Sequence, residues 1–198
     1  MSGRAMNKAR FLLLLSLAAL SACSRPTETP PLEGAAIGGP FTLVGESGQP
    51  VKSSSFDGKY RLIYFGYTFC PDVCPTDMQT LMRGYKAFEK QDADRAAKVV
   101  PMFITVDPER DTPQVLKEWT DHFDPDLIGL TGSVPQIDAV AKQFAMLVER
   151  GKPDKDGAYL VNHSRMALLM GPKGEPIALI AHDKDAATVA AELDRWVR

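Results

Sequence analysis

The sequence has no surplus of positive charge. Lys and Arg number 23 against 25 Asp and Glu, a formal net charge of −2. Nucleic-acid binding needs a basic stripe, and none is present. Residues 1–22 contain no Asp or Glu but carry Arg4, Lys8 and Arg10; without them 20 basic residues face 25 acidic ones, a net of −5. The remaining body is acidic and is not drawn to phosphate by its overall field. Long hydrophobic runs are also missing. Phe11–Leu20 is a run of ten residues, too short to span a bilayer as a helix. No internal repeat or low-complexity tract occurs after residue 40. Cysteine and histidine are scarce at three each, so each one carries weight. A hydrophobic share of 44% and a charged share of 24% fit one soluble domain plus processing sequence.

A basic start followed by a short apolar run suits a signal-peptide core. The run ends in Leu20-Ser21-Ala22-Cys23, which resembles a bacterial lipobox. In that reading residues 1–22 are a lipoprotein signal peptide and Cys23 carries a lipid. The protein is then exported and anchored to a membrane, facing the periplasm or another extracytoplasmic space. The alternative is an ordinary signal peptide cut nearby, with Cys23 left as a free thiol or removed. Residues 23–40, rich in Pro, Gly, Thr and Glu, read as a flexible tether, and residues 41–198 as the folded body. With Cys23 lipidated, Cys70 and Cys74 are the two remaining thiols. An exported protein meets oxidising conditions, where they can pair. A disulfide closing so short a loop stabilises little, so redox chemistry or metal binding is the better use of them.

Hydrophobic periodicity outlines the body. Phe41–Val44 and Val51-Lys52 flank a turn as a small hairpin. Arg61–Gly66 is a continuous apolar run, as in a strand buried on both faces. Pro75 opens a helical pattern with Met78, Leu81, Met82, Tyr85 and Phe88 on one face. Val99–Val106 is a second buried strand. Thr112-Pro113 starts a helix with Val115, Leu116 and Trp119 inward. Val134–Leu147 is a third helix, with Ile137, Val140, Ala141 and Phe144 on one face. Met166–Met170 and Pro176–Ala181 flank a turn as an antiparallel hairpin. A last helix covers about Asp185–Val197, with Val189, Leu193 and Trp196 inward. A βαβ unit followed by ββα is the thioredoxin-like plan. The expected fold is therefore α/β, with a central mixed sheet flanked by helices and an N-terminal hairpin.

The segment Gly66-Tyr67-Thr68-Phe69-Cys70-Pro71-Asp72-Val73-Cys74-Pro75 lies between a buried strand and a helix start. Sulfurs four positions apart face one side where a chain turns into a helix. Free amides and the helix dipole there favour thiolate, and paired thiolates are soft donors that suit Cu(I). A thioredoxin redox motif has two residues between its cysteines; the three here leave freedom to spread the sulfurs across a metal. A disulfide that only staples the loop is the plain alternative. Imidazole complements two thiolates. His163 lies just before the hairpin strand, where a thioredoxin-like plan places it beside the cysteine loop. His122 reads as a solvated residue on a helix near Asp121 and Asp124. His182 reads as a local cap or pair at a strand end. Asp107 and Asp111 read as loop and helix caps, not ligands.

Gly66–Pro75 closely resembles the copper motif of the Sco/SenC family, named for synthesis of cytochrome c oxidase. Val106–Pro113 resembles that family's acidic-proline segment. Tyr159–Ser164, with the strand and Gly171–Gly174 behind it, resembles its histidine block. The resemblance spans roughly residues 41–198. It implies a thioredoxin fold that binds a copper ion, Cu(I) or Cu(II), through Cys70, Cys74 and His163. It also implies copper delivery to the binuclear copper site of cytochrome c oxidase, or reduction of thiols there. The partners are then the copper-site subunit of the oxidase or another copper chaperone, with the membrane held through the lipid and no nucleic acid involved. Many relatives have aspartate before the histidine; Asn162 stands there and puts tuning of the imidazole in doubt, not binding.

Three functions compete. A metallochaperone binds and transfers without turnover. A thiol–disulfide oxidoreductase would keep target cysteines reduced through Cys70 and Cys74. A peroxidase would use one attacking cysteine, and the paired thiols with a matching His163 block favour the chaperone over it.

Overall fold

The computed structural model describes residues 28–198. Cys23 and the expected signal peptide lie outside the described residues. Among the described residues no helix is long and apolar enough to cross a membrane.

Two strands, β1 (Thr42–Gly45) and β2 (Pro50–Lys52), pair antiparallel as the expected hairpin. Next come β3 (Tyr60–Gly66), helices α1 (Val73–Gln91) and α2 (Ala93–Ala96), and β4 (Val99–Thr105). Helix α3 (Pro113–Thr120), β5 (Ile128–Thr131) and α4 (Val134–Gln143) follow. The chain closes with β6 (Val148–Arg150), β7 (Val161–His163), β8 (Ala167–Met170), β9 (Pro176–Ile180) and α5 (Ala186–Trp196). Seven strands form a mixed sheet in the order β2-β1-β5-β4-β3-β8-β9, while β6 and β7 pair separately.

Strand β3 is the axis of the sheet. It runs parallel to β4 and antiparallel to β8. All its residues are buried, which explains its unbroken apolar run: both faces are covered. Phe65 packs against Phe144 beyond α4, with ring centroids 5.5 Å apart, and Tyr64 stacks on Phe103 of β4 at 6.3 Å. Helix α1 buries Met78, Leu81, Met82, Tyr85 and Phe88, as its spacing predicts. Its Gly84 admits α5 at close range. A Cβ there would stand 2.4 Å from Val189, a distance no packed core tolerates.

The structure departs from the expected elements in instructive places. Helix α1 begins at Val73, not Pro75, so Cys74 lies in its first turn; Pro75 fits there because early helical N–H groups have no partner anyway. Helix α4 ends at Gln143, short of Leu147, because Ala145 adopts a left-handed φ of 55°. Strand β6 begins just beyond, at Val148. Strands β5, β6 and β7 were not foreseen, since runs of three or four residues carry too little alternation to stand out. The described end of the expected tether lies on the body. Leu32 N donates to Ile177 O (3.0 Å), Gly38 N donates to Gln143 O (2.8 Å), and Leu32 and Ile37 pack on the core.

Candidate metal centre

Strand β3 delivers the cysteine segment at Gly66. A side chain there would press on Tyr64 and Phe103 at 2.9 Å and on Cys74 Sγ at 3.2 Å. Glycine thus lets the sulfur sit directly on the end of the strand. The chain then turns into α1 through Asp72, whose side chain caps nothing. The capping role falls to Cys70: its sulfur accepts from Cys74 N at 3.4 Å. Cys70 is half-buried and Cys74 fully buried, and both are free thiols.

The two sulfurs differ chemically. Burial works against the Cys70 thiolate, but the amides of Asp72, Cys74 and Val73 outweigh it and hold the thiol below its ordinary value. Burial dominates at Cys74 and, with the neighbouring Cys70 sulfur, pushes it up to about 12. One sulfur is half-buried and the more easily ionised; the other is fully buried and holds its proton more tightly.

His163 ends β7, which is held opposite β6 through the Val148–His163 pair. Its Nδ1–H donates to Ser164 O at 3.1 Å. That bond leaves the Nε2 lone pair free, and Nε2 stands 3.5 Å from Cys74 Sγ. Burial lowers its proton affinity and keeps the ring neutral, with the Ser164 carbonyl opposing. Tyr67 packs edge-on against the imidazole at 6.0 Å, and its hydroxyl accepts from Val161 N at 3.3 Å. The fold brings His163 to Cys74, and Cys70 to the Cys74 amide. Among the described residues no three His, Cys, Asp or Glu side chains are gathered closely enough to hold a metal ion. The arrangement is open, with Cys74 and His163 in contact and Cys70 at the outer edge. Two thiolates and a neutral imidazole are a soft set that suits Cu(I).

The other histidines lie elsewhere. His122 is exposed, as expected, but in the turn after α3, which ends at Thr120. His182 is buried, and its role exceeds a local cap. Its Nδ1 bonds Ile180 O at 3.0 Å, while Nε2 lies 3.3 Å from Asp77 Oδ2, off the line of a good hydrogen bond. Asn162 is exposed, and His163 Nδ1 is occupied by Ser164 O.

Asp111 does not cap α3; Thr112 does, accepting from Val115 N. Asp111 is instead fully buried and accepts from Thr68 N (3.0 Å), Thr68 Oγ1 (2.6 Å) and Thr105 Oγ1 (2.6 Å), pinning the cysteine segment to β4. Asp107 accepts from Tyr159 Oη at 2.7 Å and pairs with Arg110. The Arg110 guanidinium lies 3.7 Å from the Tyr159 ring centre and 4.9 Å from that of Phe69. The three resembling blocks are thus physically joined.

Sequence reasoning missed Asp77. It accepts from Tyr64 Oη (2.8 Å), Arg165 Nε (2.9 Å) and Arg165 Nη2 (2.6 Å). Burial opposes its carboxylate, but His182, Arg165 and Tyr64 outweigh it and hold it well below the usual carboxylate range. The available signal was a charged residue on the apolar face of α1, between Cys74 and Met78–Leu81.

The chain is similar to known proteins over most of its length. SenC of Rhodobacter capsulatus is 44% identical over 153 residues, covering 77% of this chain and 66% of that protein. A structure of Bradyrhizobium japonicum ScoI with copper bound is 39% identical, with a TM-score of 0.73, covering 82% of this chain and all of that one. The thioredoxin domain of a Bacteroides vulgatus thiol-disulfide oxidoreductase superposes with a TM-score of 0.57 at 15% identity, a likeness of fold alone. The chain spans about half the length of the mouse, human and Arabidopsis mitochondrial relatives it matches. The SCO1/SenC family description matches residues 29–198, and the chain belongs to that family.

Proposed function

We propose that Cys70, Cys74 and His163 bind copper as cargo and pass it to the binuclear copper site of cytochrome c oxidase. The observation that carries this reading is the 3.5 Å approach of His163 Nε2, lone pair free, to Cys74 Sγ, with Cys70 one turn away at the helix start. Copper in the related Bradyrhizobium protein supports it; the recipient is the one the family resemblance implies. Cys70 is the sulfur that ionises first and the one an incoming thiolate reaches first. Cys74 loses its proton only as metal takes its place, so loading releases protons and acid unloads the site. Cys74 and His163 supply the enclosed side and Cys70 the exchangeable side.

A copper titration of the reduced protein tests this, with X-ray absorption to count sulfur and nitrogen neighbours. One equivalent with two sulfurs and one nitrogen is expected, and His163→Ala removes the nitrogen. Tight stoichiometric binding after Cys70 and Cys74 are joined as a disulfide would overturn the two-thiolate site.

The unequal thiols favour a second reading, a thiol–disulfide oxidoreductase. Half-buried Cys70, the more easily ionised of the two, attacks a target disulfide as thiolate; buried Cys74 then displaces the target thiolate from Cys70, leaving this pair oxidised. Turnover of a disulfide substrate distinguishes it. We also propose that Cys23 carries the lipid that holds the body at an extracytoplasmic membrane face. Labelled fatty acid absent from the wild-type protein would refute that.

A further inference from the structure

The carboxylate of Asp77 gathers four parts of the chain. Asp77 lies in α1, three residues after Cys74. Arg165, two residues after His163, grips it with both arms of the guanidinium, Nε–Oδ2 2.9 Å and Nη2–Oδ1 2.6 Å. Such a fork fixes direction as well as distance. Tyr64 of β3 donates to Oδ2 at 2.8 Å, and its ring shares with the Cys74 sulfur the space over Gly66, where a Cβ would meet them at 2.9 and 3.2 Å. His182, just past β9, stands 3.3 Å from Oδ2. The Asp77 side chain is 3% exposed. A buried carboxylate with this many partners is costly to desolvate, and replacing such groups by apolar ones is often neutral for stability. Stability alone is therefore a poor reason for it to stand here.

We propose that Asp77 is a positioning residue: its carboxylate ties the helix that carries both cysteines to the segment that carries His163, and so sets how Cys74 Sγ meets His163 Nε2. The inference rests on the copper reading above. Between β7 and β8 lie only the three residues 164–166, and the His163 ring is otherwise held by its bond to Ser164 O and the edge of Tyr67. The Asp77–Arg165 fork spans the gap between that segment and α1. Tyr64, whose hydroxyl Asp77 holds, sets its ring beside the Cys74 sulfur at Gly66. One carboxylate thus bears on both Cys74 and His163. Partners of this kind are worth about 10- to 100-fold in metal affinity elsewhere.

The test uses the full reduced protein and four variants: Asp77→Asn, Arg165→Met, Arg165→Lys and His163→Ala. Copper affinity is read by chelator competition, and the thiolate-to-Cu(II) absorption and electron paramagnetic resonance are recorded. The metal-free proteins are compared by the NMR shifts of the His163 ring and the alkylation rate of Cys74. Asp77→Asn and Arg165→Met are expected to weaken copper about 10- to 100-fold, move the absorption band, shift the His163 ring signals and speed Cys74 alkylation. Arg165→Lys, which keeps the charge but not the fork, is expected to recover part of each. Should Asp77→Asn fail to fold, Arg165→Met decides, because that side chain is 46% exposed. Unchanged affinity, spectra and His163 shifts, with a lowered melting temperature, would reduce Asp77 to a structural strut and overturn the inference. If wild type and His163→Ala bind copper alike, the copper reading fails instead, and the metal-free measurements still judge the positioning.

Discussion

Asp111→Ala probes the anchor of the cysteine segment. Asp111 is fully buried and accepts three hydrogen bonds, from Thr68 N, Thr68 Oγ1 and Thr105 Oγ1. An orphaned buried donor costs about 1–3 kcal/mol. The two hydroxyls can rotate, and Thr105 Oγ1 already accepts from Asp107 N at 2.9 Å; the Thr68 amide has no such freedom. Removing a buried carboxylate also returns part of its desolvation cost. The net loss is about 2–4 kcal/mol, a fall in melting temperature of roughly 5–15 °C for a body of this size. Urea unfolding measures it, and hydrogen exchange at Thr68 N localises it. Asp111→Asn should lose less, about 1 kcal/mol, since it keeps one acceptor. Burial raises the Asp111 pKa above 3.8 in the fold, against the pull of the Thr105 and Thr68 donors. The folded state therefore holds this proton more tightly than the unfolded chain. Its contribution is greatest in acid and falls as pH climbs from 3.8 through the raised value, a slope that Asp111→Asn removes. A loss below about 1 kcal/mol for Asp111→Ala, with Thr68 exchange unchanged, would refute the anchoring argument.

Alkylation should distinguish the thiols: near neutral pH, Cys70 is expected to react at least ~10-fold faster than Cys74, as followed by peptide mass. Gly84→Ala should destabilise by about 2–4 kcal/mol in urea, because the new methyl meets Val189 where α5 crosses α1. His182 is desolvated, but Asp77 and the Ile180 carbonyl raise its pKa above 6.5. Its pairing is worth most below 6.5 and fades as pH rises through the raised folded value, so the wild-type advantage over His182→Gln should shrink as pH climbs above 6.5. His163 titrates with the opposite sign, and the difference between the two proteins cancels it.

How much of this was legible depends on how far apart the decisive contacts lie in the chain. The face of α1 was readable because Met78, Leu81, Met82, Tyr85 and Phe88 repeat locally, and all five are buried. Strand β3 was readable because a strand covered on both faces has a continuous apolar run. The β8–β9 hairpin was readable from its turn, although its register shift at Leu169–Met170 was not. The β6–β7 pair left no such trace. Its strands are three residues each, joined across a stretch that is mostly exposed. Nothing local says that Val148 will face His163. The end of α4 turns on the backbone of Ala145, a residue whose type favours continuing the helix.

The site divides along the same line. Cys70 and Cys74 announce themselves by type and spacing at a strand-to-helix junction. His163 needs the fold as well, because it reaches Cys74 across 89 positions of sequence and is held there on the β6–β7 pair. Asp77 was hidden because its partners come from positions 64, 165 and 182, and nothing local distinguishes it from an ordinary helix carboxylate. Thiol and imidazole groups have a particular chemistry, so residue type betrays them. Groups that orient those side chains need only a charge in the right place, and that place exists only once the fold has brought β3 and the segments after β7 and β9 beside α1.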